Sequence, residues 1–148
     1  MMSRFRNNNP GNMRFNPAFK GVTGKDSRGF AIFRTYYHGL RAMRILIQNY
    51  IKKGTNTINL IVNKYAPAAD QNQPDKYAAF VSSQTGIARD KILKPEEAEL
   101  LIPAMVKMET GKEVTNWEIS LSKNMDSLGS WIPFYALAAL LFFGILKK

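Results

Sequence analysis

The sequence contains no cysteine and a single histidine, His38, in 148 residues. A disulfide scaffold, a thiol nucleophile and a zinc ribbon are therefore excluded, and neither a His-rich metal site nor a Ser-His-Asp triad is expected. Acid is scarce early in the chain: residues 1–53 hold eleven Lys and Arg against one carboxylate, Asp26, so that this segment alone carries the whole net charge of +10. Residues 54–148 balance, with ten of each sign. Met1 to Lys53 has no continuous apolar stretch of signal-peptide type. There is no internal repeat and no low-complexity tract. No helix-turn-helix, zinc-finger or RNA-recognition signature accompanies the basic charge, which argues against sequence-specific nucleic-acid readout.

What is present suffices for one folded domain with a small appendage. The chain is 45% hydrophobic and includes nine Phe, six Tyr and two Trp, enough bulky apolar side chain to outweigh the ordering entropy. Its one-sided basic segment attracts polyanions, whether nucleic acid, anionic lipid or wall polymer.

From Leu128 to Leu146 the chain carries no charge over nineteen residues, and it then reads Lys147-Lys148. A helix of that length spans about 29 Å, close to the hydrocarbon thickness of a bilayer. Trp131 and Tyr135 suit one interface, the lysines suit the other, and Pro133 falls in the first turn. The expected organisation is a soluble domain over 1–111, a polar linker over 112–127 and a transmembrane anchor over 128–146, giving a single-pass, tail-anchored protein whose C-terminal helix meets lipid.

Within the soluble part, residues 1–35 hold most of the turn formers. Asn9-Pro10-Gly11-Asn12 places Pro and Gly as a type II turn requires, Gly24-Lys25-Asp26-Ser27 forms a second turn, and Gly29–Phe33 reads as a strand. A small hairpin or irregular lobe is expected there. Leu40, Met43, Leu46, Ile47, Tyr50 and Ile51 recur at helical spacing opposite Arg41, Arg44, Gln48 and Lys52, which predicts a helix over 38–53. A second helix runs from the cap Thr57 to before Pro67. Pro74 opens a third, which buries Tyr77, Phe80 and Val81 and stops at Gly86. The fourth begins at Pro95-Glu96-Glu97, buries Leu101, Ile102, Met105 and Met108, is bent by Pro103 and stops at Gly111.

Glu109 lies one turn after Met105, on the face this fourth helix should bury. Partial desolvation and the negative end of the helix dipole both disfavour the anion, so its pKa should rise. A carboxylic acid that keeps its proton near neutral pH is what glycosidic cleavage needs to protonate a leaving oxygen. A helix-end glutamate reaching into solvent is the alternative on periodicity alone.

Arg6-Asn7-Asn8-Asn9-Pro10-Gly11-Asn12-Met13-Arg14, Asp26, Gly29-Phe30-Ala31-Ile32-Phe33, Gly39-Leu40-Arg41-Ala42 and Tyr65-Ala66-Pro67 resemble the landmarks of a phage virion-protein family regarded as peptidoglycan-degrading and lysozyme-like. The resemblance spans roughly residues 4–110. It departs from the family at Phe19-Lys20-Gly21, where Trp-x-Gly is common, and at Tyr65, where Trp is usual. Glu109-Thr110-Gly111 is also similar to the Glu-Ser-Gly run of bacterial glucosaminidases and soluble lytic transglycosylases. In the glucosaminidases, however, the Glu helix precedes the Asn-rich segment, which suggests a circularly rearranged order of parts.

The resemblance implies a mainly α, small lysozyme-like domain with a short N-terminal lobe, and a virion enzyme that cleaves the glycan strands of peptidoglycan to help genome delivery or lysis. Glu109 would be the acid. Asp26 would be the second carboxylate of a hydrolase, or a turn residue bonding its own backbone. A lytic transglycosylase needs only one acid, because the substrate's own hydroxyl attacks, and a chain so poor in other carboxylates fits that chemistry better than hydrolysis. Asn8 and Asn12 would hold acetamido groups, and Tyr36, Tyr37 and Tyr65 would stack on sugar rings. His38 is expected to be a polar residue of the first helical turn. No metal or organic cofactor is implied. Peptidoglycan is the expected partner, together with capsid or other virion membrane proteins, in the internal membrane of a virion or the host envelope. The alternative is an inactive structural virion membrane protein whose basic face binds DNA or anionic lipid.

Overall fold

Hydroxyl caps and proline starts set the helix boundaries of this chain. The computed structural model describes residues 4–125. Thr35 accepts the His38 N–H and opens α1 (Tyr36–Lys52), and Thr57 accepts the Leu60 N–H and opens α2 (Ile58–Tyr65). Pro74 occupies the first turn of α3 (Pro74–Thr85), where its missing N–H costs least. A 3₁₀ turn over Pro95–Glu97 leads into α4 (Ala98–Thr110), which ends as Gly111 takes a left-handed φ of 68°. Pro103 lies inside α4 without ending it. Thr115 and Glu118 cap each other reciprocally at the start of α5 (Asn116–Asn124).

The expected N-terminal hairpin is present. Strands β1 (Val22–Lys25) and β2 (Ala31–Phe33) pair antiparallel, with Val22 opposite Phe33, Lys25 opposite Ala31 and an irregularity between Val22 and Gly24. Arg14 bridges to Phe30 beside them. Helix α1 touches β2, α2, α4 and α5, while α3 packs between α2 and α4. Leu40, Met43 and Ile47 of α1 meet Ile58 and Ile61 of α2 and Leu101, Ile102 and Met105 of α4 in one buried core. Each such side chain contributes about 1.5–3 kcal/mol on removal from water.

Several expectations need correction. The type II turn at Asn9–Asn12 does not form: Asn12 N–H bonds Asn9 O, but Gly11 is not left-handed, and the positive φ values belong to Asn7, Asn8 and Asn12. The hairpin reverses over Asp26–Gly29 rather than Gly24–Ser27, with Gly29 donating to Asp26 O and taking a φ of 83°. Arg44, expected on the solvent face of α1, is buried, and Met108, expected in the core, is exposed.

Residues 112–127 are not merely a polar linker. Within that range α5 is helical, buries Ile119 and Ser122 and packs against α1, so the folded domain continues past Gly111. The Arg4 guanidinium holds the Glu118 carboxylate at 2.6 Å and Tyr36 donates to it at 2.9 Å, fastening the beginning of the described chain to its last helix.

The fold class is corrected likewise. It is mainly helical, with five α-helices and a two-stranded sheet among the described residues. No helix among them is long and apolar enough to cross a membrane: the longest, α1, has 17 residues and carries Arg41, Arg44 and Lys52. The expected transmembrane helix at 128–146 lies outside the described residues.

Candidate active site

An open groove of about 530 Å³ separates the N-terminal lobe from the helices. Asn12–Asn16, Phe19 and Phe30 line it from the lobe, Leu46 and Tyr50 from α1, and Lys64–Pro67, Asp70 and Asn72 from the end of α2 and the segment after it. Leu46 and Tyr50 have the spacing of core residues but remain partly exposed, because the face of α1 they occupy forms the groove wall.

Glu109, in the last turn of α4, also lines this groove. Its carboxylate accepts from the Tyr77 hydroxyl at 3.0 Å and from the Asn12 amide at 3.3 Å. The same amide donates to the Glu109 backbone carbonyl at 2.9 Å, filling one of the acceptors that a helix end leaves open. Burial raises the carboxyl pKa above its ordinary value, and the two donated hydrogen bonds only partly offset this. The arrangement is an oriented acid with enhanced proton affinity, facing a groove.

Three links hold Asn12 in place. Asn9 is almost fully buried: its amide donates to Met13 O at 2.9 Å and Ala31 O at 3.0 Å, and its oxygen accepts the Met13 N–H at 3.0 Å. Tyr65 donates to Gly11 O, and a β-carbon on Gly11 would collide with that hydroxyl, so close approach rather than backbone freedom requires glycine here. Gly39 of α1 likewise leaves room for Asn8 O and Pro10. The asparagine turn is thereby clamped between β2, α1 and α2.

The structure brings Glu109, Asn12 and Tyr65 together and leaves the other expected site residues elsewhere. Asn8 donates to Phe33 O at 2.9 Å and Arg34 O at 3.2 Å, tying the turn to the end of β2. Tyr36 stacks on Tyr37 at 4.2 Å and serves Glu118, and neither tyrosine lines the groove. Asp26 is occupied in the hairpin: one oxygen accepts the Arg28 and Phe30 N–H groups at 2.9 and 3.0 Å, the other the Asn7 amide at 2.8 Å, and it lies outside the groove. Burial pulls its pKa upward, but the Asn7 amide, these N–H groups and the Arg6 guanidinium outweigh that and hold it below the ordinary value. His38 is a first-turn residue with Nδ1 2.8 Å from Thr35 Oγ1, and burial with Arg34, Arg41 and Lys20 nearby lowers its pKa to about 4.

Asp26→Asn is accordingly expected to lower the melting temperature. A depressed folded pKa stabilises above the unfolded value of 3.8 and is lost as pH falls through the folded one. The difference in melting temperature between the two proteins should therefore shrink below pH ~4. An unchanged melting temperature would refute this structural role for Asp26.

Sequence reasoning missed Tyr77 as the partner of Glu109 and Asp70 as the second acid of the groove. For Tyr77 a signal existed, since a buried tyrosine hydroxyl needs an acceptor. Asp70 lies on a 3₁₀ turn after Pro67, without periodicity to orient it.

The chain is similar to a bacteriophage protein. That relative is Protein P5 of Pseudoalteromonas phage PM2, 36% identical over 83 residues that cover 55% of this chain and 51% of the phage protein. The chain thus spans about half the length of the curated relative it matches. No protein-family model matches it.

Proposed function

We propose that this protein cleaves the glycan strands of peptidoglycan by lytic transglycosylase or muramidase chemistry, in the service of a bacteriophage particle that must open the host wall for genome delivery or lysis. The observation that carries the proposal is the half-buried Glu109 carboxyl at the groove, its pKa raised by burial and its orientation fixed by Tyr77 and Asn12. The likeness to a phage protein supports the setting, as does the resemblance of the Asn-rich turn to a peptidoglycan-degrading virion family. In the single-acid route, protonated Glu109 gives its proton to the glycosidic oxygen as the bond opens. The resulting carboxylate then takes the proton of the sugar hydroxyl that closes on the anomeric carbon. Asn12 and Tyr65 bound the space where an acetamido group and a sugar ring would lie.

Clearing of purified peptidoglycan in a zymogram tests the activity, and mass spectrometry of the fragments tests the route. The transglycosylase route yields fragments lighter by one water than hydrolysis products. It also predicts that Asp70→Asn keeps turnover within about threefold of the parent. Hydrolysis with Asp70 as base would instead lose about 10²- to 10⁴-fold. Clearing that is unchanged in Glu109→Gln would refute the assignment of Glu109, and no clearing by the parent would refute the enzyme.

A further inference from the structure

Two basic side chains of the groove stand on aromatic rings. The Arg14 guanidinium lies 4.5 Å from the Phe30 ring centroid and donates to Arg28 O at 2.7 Å, and the Lys64 ammonium lies 4.7 Å from the Tyr50 ring centroid. All four of these groove residues accompany Glu109 there. Arg14 and Lys64 are exposed, and among the described residues neither is paired with a carboxylate, whereas Arg4, Arg6, Arg89, Lys91, Lys107 and Lys123 each are. A cation–π stack steadies a charge without neutralising it. The groove thus presents two positioned positive charges, and its own acids are Asp70 and Glu109.

Resting on the reading of the groove as a glycan site, we infer that it selects amino-sugar strands bearing carboxylates over neutral strands of the same sugars. The carboxylates of such a polymer come from lactyl ethers on the sugars or from attached peptide stems. Arg14 offers a planar fork suited to a carboxylate and Lys64 a point charge, so both are specificity residues rather than participants in bond cleavage. The excess of basic residues over 1–53 acts in the same sense at longer range.

Binding of soluble strands to full-length Glu109→Gln protein tests this without requiring turnover. Four ligands are compared: native strands, the same strands with every carboxyl converted to amide, strands stripped of peptide so that only lactyl carboxylates remain, and neutral N-acetylglucosamine oligomers. Native strands are expected to bind about five- to tenfold more tightly than amidated or neutral ones at low salt, with the difference shrinking as salt is added. Arg14→Gln with Lys64→Gln should erase the preference, and because both side chains are exposed the circular dichroism spectrum should not change. Removing the peptide frees the lactyl carboxyl that the stem amide had blocked, so retained affinity of the peptide-free strands shows that the groove takes a carboxylate held at the sugar, and lost affinity that it takes those of the stem; either supports the inference. Equal binding of native and amidated strands overturns it, even if the parent protein cleaves glycan. Selective binding with no cleavage by the parent would uphold the preference and refute the enzymatic reading.

Discussion

Glu109→Gln is expected to lower peptidoglycan cleavage by about 10²- to 10⁴-fold and, at neutral pH, to raise the melting temperature. The two effects share one cause. The folded protein holds the Glu109 proton more tightly than the unfolded chain does, because burial disfavours the carboxylate. A raised folded pKa contributes stability that is fully present below the unfolded value, near 4.5, and is lost as pH rises through the folded one. As pH rises through the folded pKa, the parent comes to carry a desolvated anion. Glutamine removes that charge, keeps an oxygen for the Tyr77 hydroxyl, and leaves the Asn12 bond to the backbone carbonyl intact. The gain should grow as pH rises through the folded pKa and fade below pH ~4.5. Scanning calorimetry at pH 7 and pH 4, run beside a clearing assay, checks both halves. Lost clearing together with a lower melting temperature at pH 7 would mark Glu109 as a structural residue. In the parent, kcat/KM should fall as pH rises through the same folded pKa, because the glycosidic oxygen requires the protonated acid.

Asn9→Ala should cause the largest loss of stability, about 3 kcal/mol. The Asn9 side chain is 2% exposed and makes three hydrogen bonds to the backbone of Met13 and Ala31. Alanine would strand those buried backbone groups, and the cost of unsatisfied groups exceeds the modest net worth of the bonds themselves. Urea unfolding should show a lower midpoint, and the melting temperature should drop by about 10 °C. Because Asn12 is carried by the same turn, clearing should weaken even at temperatures where the variant stays folded. A variant within about 0.5 kcal/mol of the parent would dismiss Asn9 as the anchor of the turn.

The helices were legible because their signals are local. Thr35 and Thr57, the prolines at 74 and 95, and the glycines at 86 and 111 each mark a boundary with their own chemistry. Glu109 was legible through period: one turn beyond buried Met105, it had to approach the interior. The asparagine turn was legible as a turn but not in its detail. Asn7, Asn8, Asn9 and Asn12 have identical side chains, and long-range partners alone make Asn9 the buried hub, Asn8 a link to β2 and Asn12 the neighbour of Glu109. Gly11 misled for the same reason, since its need arises from Tyr65, 54 residues further along. Helix α5 was missed although Thr115-Asn116-Trp117-Glu118 has the spacing of a reciprocal cap; Trp117, the largest apolar residue nearby, is exposed and gives no inward stripe. Tyr36 and Tyr37 suggest sugar platforms in the sequence because an aromatic pair looks the same whether it meets a ligand or, as here, Phe5 and Glu118.

The clasp of Arg4 and Tyr36 on Glu118 has a topological consequence. It brings the start of the asparagine segment beside the helix that follows Glu109, so the path of the described residues nearly closes on itself. A ring so nearly joined can be cut at another loop while turn, hairpin and acid-bearing helix still meet in the same places, and the order in which such parts are strung then matters less than which of them touch.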